Sequence, residues 1–380
     1  MDVVHAGFDG LKVTVETTIP DDLAAALSLA KRQAASRNDP VPITYGSIDL
    51  QVRKSGGASA FSVSTGDYGA EWYLLDPHNK PKNNPGITVD FRAFLLATGG
   101  VGAARTMFEA HMAALGIRWE AHLVTVSRLD FAVDLLAPGF EPDRRHIVAP
   151  AGTRTSERDA TPGEEHGVGD GVSGVKAGHI SNRQLAIYDK RREVLDTGKK
   201  GWLAIWNARR AAEGKPPLDL ADKRASQIWR FEMRLGSRQL RNRWEIRGWD
   251  ALDARAGDAV AEFAEKVRYT LPSRDGNRSR WPLHPAWRMV QDETARHFEG
   301  RRSYADPVEV REANRAAHIE MLDAQLLGLL VSRAAAGGVE AEDAEGFFRR
   351  HAGVLATLSR EHPVGIEERM ARAAGRYVFR

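Results

Sequence analysis

The sequence predicts an α+β protein: an antiparallel-sheet core with flanking helices, followed by a helical C-terminal region. Three observations lead there. Residues 127–134 (Ser-Arg-Leu-Asp-Phe-Ala-Val-Asp) and 229–235 (Trp-Arg-Phe-Glu-Met-Arg-Leu) put apolar residues at every odd position but 127 and mostly charged ones at even positions. Successive strand residues point to opposite faces, so each segment buries one side and lines up its charges on the other. Several short strand-like runs separated by turn residues precede them, and from Ala251 onward the apolar spacing turns helical.

The elements follow in order. Residues 10–16 alternate and predict a first strand, and Asp21 is placed to cap a helix through Ala24 and Leu27. Three or four short strands are expected between Pro42 and Leu75, with turns at 55–57 and 66–67. A polar stretch at 77–85 reads as a loop, 87–95 as a strand, and 103–115 as a helix closed by Gly116. Residues 121–135 form the long strand with the acidic face. The run 138–174, crowded with Gly, Pro and charged residues, reads as a loop. Strands at 178–190 and 227–235 flank a helix at 198–213, and helices follow at 259–269, 308–335 and 340–359. The change in pattern predicts a domain at 1–270 and a helical region at 271–380.

Composition narrows the class. With 42% apolar and 28% charged residues among 380, the chain is globular and long enough for two or three compact units. It has no cysteine, which excludes disulfides and thiolate metal sites. No run approaches the roughly 20 apolar residues of a membrane span. The N-terminus lacks the basic start and apolar run of a secretory signal, so a cytoplasmic protein with no membrane partner is expected. The net charge of +3 hides a basic stretch: residues 176–247 hold 18 Lys/Arg against 8 Asp/Glu, a local field suited to a polyanion. Trp202, Trp206, Trp229, Trp244 and Trp249 interleave with it, most of them as expected core residues. The glycine pairs at 56–57 and 99–100 are not followed by Gly-Lys-Ser/Thr, so ATP use is not indicated.

Four segments carry a family resemblance: the opening strand at 8–15, Arg-Leu-Asp-x-x-x-Asp at 128–134, Ile-Tyr-Asp-Lys-Arg-Arg-Glu at 187–193, and the strand at 229–235. In order and approximate spacing the chain resembles the replication initiation factors of rolling-circle plasmids and filamentous phages, the Rep-trans type. The likeness covers residues 7–270 and leaves the helical tail out.

The resemblance implies a sequence-directed DNA nickase that links itself to the 5′ end of the cut strand. Tyr188 is then the nucleophile, storing the phosphate bond energy for rejoining. A phenol of pKa near 10 needs a cation nearby, and Lys190, two residues on along the same strand face, is the candidate. Asp130 and Glu232 are the candidate ligands for Mg²⁺ or Mn²⁺, with Glu193 a further ligand or proton acceptor. Asp134 lies about 13 Å from Asp130 by strand rise, which suits a supporting role. Arg128, Arg183, Arg230 and Arg234 are candidate phosphate clamps. Each residue also has a plainer reading: a half-buried strand tyrosine, ion pairs joining the acids to Arg230 or Arg234, and surface arginines. No two of the twelve histidines are two residues apart, so the His-hydrophobe-His site of the other large rolling-circle class is absent.

The expected partners are an origin, as double-stranded hairpin and single strand, a host helicase or polymerase, and a second copy of the chain. Two alternatives stand beside this reading: a transfer relaxase of a mobile element, and a non-catalytic DNA-binding protein on the same fold.

Overall fold

Ten strands pair into one antiparallel sheet, and the computed structural model describes it through residues 1–57, 60–79, 84–150, 174–299 and 307–376. In chain order the elements begin with β1 (Asp2–Glu16), α1 (Asp21–Arg37), β2 (Val41–Tyr45), β3 (Ile48–Val52), β4 (Phe61–Ser64), β5 (Ala70–Leu74) and β6 (Gly86–Phe91). There follow α2 (Ala93–Ala114), β7 (Val124–Leu136), β8 (Ile147–Val148), β9 (Gly174–Gly178), β10 (Arg183–Asp189), α3 (Lys190–Thr197), α4 (Gly201–Ala212) and β11 (Ile228–Gly236). The chain continues with α5 (Trp249–Lys266), β12 (Arg268–Tyr269), α6 (Pro285–Phe298), α7 (Pro307–Ala336), α8 (Ala344–Glu361) and α9 (Ile366–Arg376). The large sheet runs β2-β3-β4-β5-β6-β1-β7-β11-β10-β9, and β12 pairs with β8 apart from it. The α+β class read from the sequence is the class observed.

Alternation in β7 and β11 sorts side chains between the two faces of this sheet. Leu129, Phe131, Val133 and Leu135 are buried beside Leu235, Met233, Phe231 and Trp229 of the neighbouring strand. Helices α5 and α6 cover that apolar face. His297 of α6 meets Phe131 edge-on at 4.5 Å, and Trp287 lies 6.1 Å from Phe231. Trp287 and Val290 are fully buried in the same core. The core of the sheet therefore runs on through α6, past the boundary expected at 270. Trp202, Trp206, Trp229 and Trp249 are all buried, as core residues.

Two differences have local causes. The strand expected at 87–95 stops at Phe91, and α2 starts at Ala93 rather than 103. The glycine pair at 99–100 is accommodated within α2 because Gly100, at φ 69°, forms a non-helical step inside it. The expected loops at 138–174 and 77–85 fall partly outside the described residues. Among the described residues no helix is long and apolar enough to cross a membrane.

Candidate active site

The even positions of the central strands meet in cross-strand rows. One row is Gly174, Tyr188, Arg230, Asp134 and His5. The next is Lys176, Ala186, Glu232, Ala132 and Gly7, and the third is Gly178, Gln184, Arg234, Asp130 and Gly10. Glu232 thus has alanines on both sides, and these small residues leave room above the sheet. Tyr188 and Asp130 are each diagonal neighbours of Glu232 on this face, on opposite sides of it, a spacing of about 7–8 Å. Tyr188, Asp130, Glu232, Arg128, Arg234 and Lys190 all line one open pocket of about 270 Å³.

Both acids are clamped. Arg128 donates to Asp130 Oδ1 at 3.0 Å, and its Nη2 sits 2.5 Å from Oδ2 and 4.0 Å from Glu232 Oε1. Arg234 grips Glu232 with two bonds of 2.8 Å. The plainer ion-pair reading therefore holds for Glu232 with Arg234, while Asp130 pairs with Arg128 rather than with Arg230 or Arg234. Burial, reinforced by the charge of Glu232, pushes the Asp130 carboxyl up to about 7 against the pull of Arg128.

Tyr188 is half-buried at the penultimate position of β10. The strand ends beside it because Asp189 caps α3, its Oδ1 accepting from Arg192 N at 2.8 Å. Loss of water around the phenol, and then Glu232, push its pKa well above 10, with Asp9 and Glu193 adding to this and Arg230 opposing it.

Lys190 is consequently the first residue of a helix, not a member of the strand face. It is buried, its Nζ 5.8 Å from the Tyr188 ring centroid and 4.8 Å from that of Trp202. Its ammonium is bonded to Glu193 at 2.7 Å. Burial and Arg230 lower its pKa, while Asp9 and Glu193 hold it up. Glu193 therefore reaches the pocket as the partner of Lys190.

Arg230 and Arg183 depart from the clamp role. Arg230 is fully buried, bidentate on Asp134 at 2.7 Å and bonded to Asp9 at 2.5 Å. Burial works against its charge, but Asp134 and Asp9 outweigh it and hold the guanidinium firmly protonated. Its donors are spent inside the protein, so it braces the face that Tyr188 shares. Asp134 completes the brace by accepting from Trp206 Nε1 at 2.8 Å. Arg183 is five residues from Tyr188, on the opposite face of β10 and about 16 Å away along the strand.

Asp9 is the residue missed in the sequence. Phe8 pairs with Phe131 and Gly10 with Asp130, so Asp9 is the extra residue of a β-bulge, aimed into the pocket. The one signal was the break in alternation at Phe8-Asp9-Gly10. Gly10 has its own reason: a Cβ there would lie 2.4 Å from Asp130 Oδ2.

Among the described residues no three or more His, Cys, Asp or Glu side chains gather as a ready metal site. Mg²⁺, however, commonly takes one or two carboxylates plus substrate phosphate and water. Asp130 and Glu232, whose mutual repulsion is visible at Asp130, fit such an ion.

No family model matches this chain, and no curated protein matches it. A solved structure of the rolling circle replication initiator protein from Geobacillus stearothermophilus aligns at 16% identity and a TM-score of 0.35. The alignment covers 77% of this chain and 97% of that one. An overlap this low carries no weight for what the protein does.

Proposed function

We propose that the protein nicks and rejoins DNA as a rolling-circle replication initiator, through a 5′-phosphotyrosyl link at Tyr188. One observation carries the reading: a tyrosine opens onto a pocket whose floor holds two carboxylates and two arginines in adjacent cross-strand rows.

The chemistry follows from those groups. Tyr188 Oη attacks phosphorus, its proton passes to a neighbouring carboxylate such as Glu193, and the bond from phosphorus to the 3′ oxygen breaks. The 3′ oxygen departs as a hydroxyl after taking up a proton, and attack by that hydroxyl on the phosphotyrosine reverses the step. Arg128 and Arg234 hold planar forks that match a phosphate as well as a carboxylate, so an incoming backbone exchanges with Asp130 and Glu232 for them. The released carboxylates would hold Mg²⁺ or Mn²⁺, which when bound polarises a non-bridging phosphate oxygen.

The test is incubation with Mg²⁺ and a supercoiled plasmid carrying the DNA that flanks the protein's own gene, followed by a denaturing gel. Wild type should give nicked circles and a protein–DNA adduct. Tyr188→Phe should bind but form neither. Cutting of equal yield by that variant removes Tyr188 from the mechanism, and binding without cutting by wild type favours the non-catalytic alternative.

A further inference from the structure

Part of the pocket wall is built by two helix starts rather than by strands. Phe94 of α2 and Trp202 of α4 meet with ring centroids 5.5 Å apart. That contact brings Arg92, the residue before α2, and Lys199, two residues before α4, to the same pocket. Arg92 is held in place by Glu71 of β5, which is buried and accepts from Arg92 Nη2 at 2.6 Å. Glu71 does not need that bond for neutrality. Arg53 already grips both its oxygens, at 2.7 and 3.1 Å, and Ser62 donates to Oε1 at 2.9 Å. Arg92 therefore brings a charge beyond what the buried acid requires, and its own buried Nε has no partner. Lys199 is exposed and has no carboxylate partner among the described residues. The other cations of the pocket are spent: Arg128 on Asp130, Arg234 on Glu232 and Lys190 on Glu193. Of the acids nearby, Asp90 is taken by Lys12 at 2.8 Å and Asp67 is exposed to water.

We propose that Arg92 and Lys199 form a second phosphate subsite, holding a backbone phosphate of the strand that enters the Tyr188 pocket. The subsite rests on the nickase reading for the strand it serves. A guanidinium fixed by a buried acid presents its remaining donors to a phosphodiester without losing side-chain freedom on binding. Lys199 adds a point charge from the other helix. Neither α2 nor α4 has an acidic residue in its first turn or a side-chain cap, so the positive ends of both helices reinforce the field. Contacts of this kind set the register of a strand and not its sequence. With Arg128 and Arg234 at the attacked phosphate, the strand is held at two points, which orients phosphorus toward Tyr188.

Binding of a fluorescent oligothymidylate of roughly 16 nucleotides, followed by anisotropy over a salt series in EDTA, tests it without interference from cutting. Arg92→Gln leaves Glu71 bonded to Arg53, and Lys199→Gln removes an exposed side chain, so the double variant should melt with wild type. It should bind about tenfold to a hundredfold more weakly. Its slope of log K against log salt should flatten by about 0.7, the value for one single-strand phosphate. Arg37→Gln, on α1 behind the apolar face, should keep the wild-type slope. A double variant with wild-type melt and wild-type slope overturns the proposal, as does equal flattening in Arg37→Gln. Inorganic phosphate that raises the wild-type Tm through Arg92, with oligonucleotide binding the same in both proteins, would overturn it in favour of a free anion. Wild type that shows the Arg92-dependent slope but forms no adduct at Tyr188 supports the subsite and removes the nickase reading instead.

Discussion

Arg230 of β11 and Asp134 of β7 face each other as a fully buried, bidentate ion pair, with both N–O distances at 2.7 Å. Removing one member of such a pair leaves a charge stranded out of water, at a cost of about 3–5 kcal/mol. Asp134→Asn and Arg230→Met should each lower the unfolding free energy by an amount of that order, seen as a lower urea midpoint at unchanged m. The double variant should be less destabilised than the sum of the two, and a double-mutant cycle by urea unfolding reads the difference.

His5 supplies a pH dependence of known sign. Burial drops its pKa to about 4, with Asp134 partly opposing, whereas the unfolded value is about 6.5. Between those values the unfolded chain binds a proton that the folded one refuses, so stability falls as pH falls from 6.5 to 4. The full loss amounts to about 3 kcal/mol. Asp130 runs the other way: its raised pKa of about 7 gives a contribution present at low pH and lost as pH rises through 7. His5→Gln should therefore flatten the acid loss, and Asp130→Asn should deepen the decline between pH 7 and 5. Urea titrations at pH 7.5, 6 and 5 compare the three proteins.

Gly10 makes room for Asp130, and Gly10→Ala would push a methyl group to 2.4 Å from the Oδ2 atom. Arg128 holds the same Oδ2, so the displacement moves the clamp as well. The variant should lose about 1–3 kcal/mol of stability. Strand cleavage should fall on the order of tenfold to a hundredfold, read from initial rates of nicking against wild type.

Divalent metal should matter in proportion to these carboxylates. Chelation by EDTA should abolish nicking but leave DNA binding, and Mg²⁺ or Mn²⁺ should restore it. Glu232→Gln should need a higher metal concentration for half-maximal rate, measured by metal titration of the cleavage assay. An unchanged titration would take Glu232 out of the metal site.

The period-two pattern of β7 and β11 made the sheet and its charged face readable, because only one register buries Leu129, Phe131 and Val133 together with Phe231 and Met233. That pattern put Asp130 and Glu232 each on the charged side of its own strand, whereas Tyr188 was singled out by the resemblance. It did not say that Asp189 would cap a helix, which turned Lys190 out of the strand and under Trp202. Nor did it say which arginine meets which acid: Arg230 is drawn inward by Asp134, and Asp9 arrives only through a bulge. Pairing across strands depends on register and twist, and neither is written within a single segment.

The central claim is a covalent bond to one phenol. Wild-type protein that has nicked DNA can be digested with nuclease and trypsin, and the peptide of residues 184–190 examined by mass spectrometry. The expected result is a nucleotide mass on Tyr188. A nucleotide on another residue, or nicked DNA with that peptide unmodified, would contradict it.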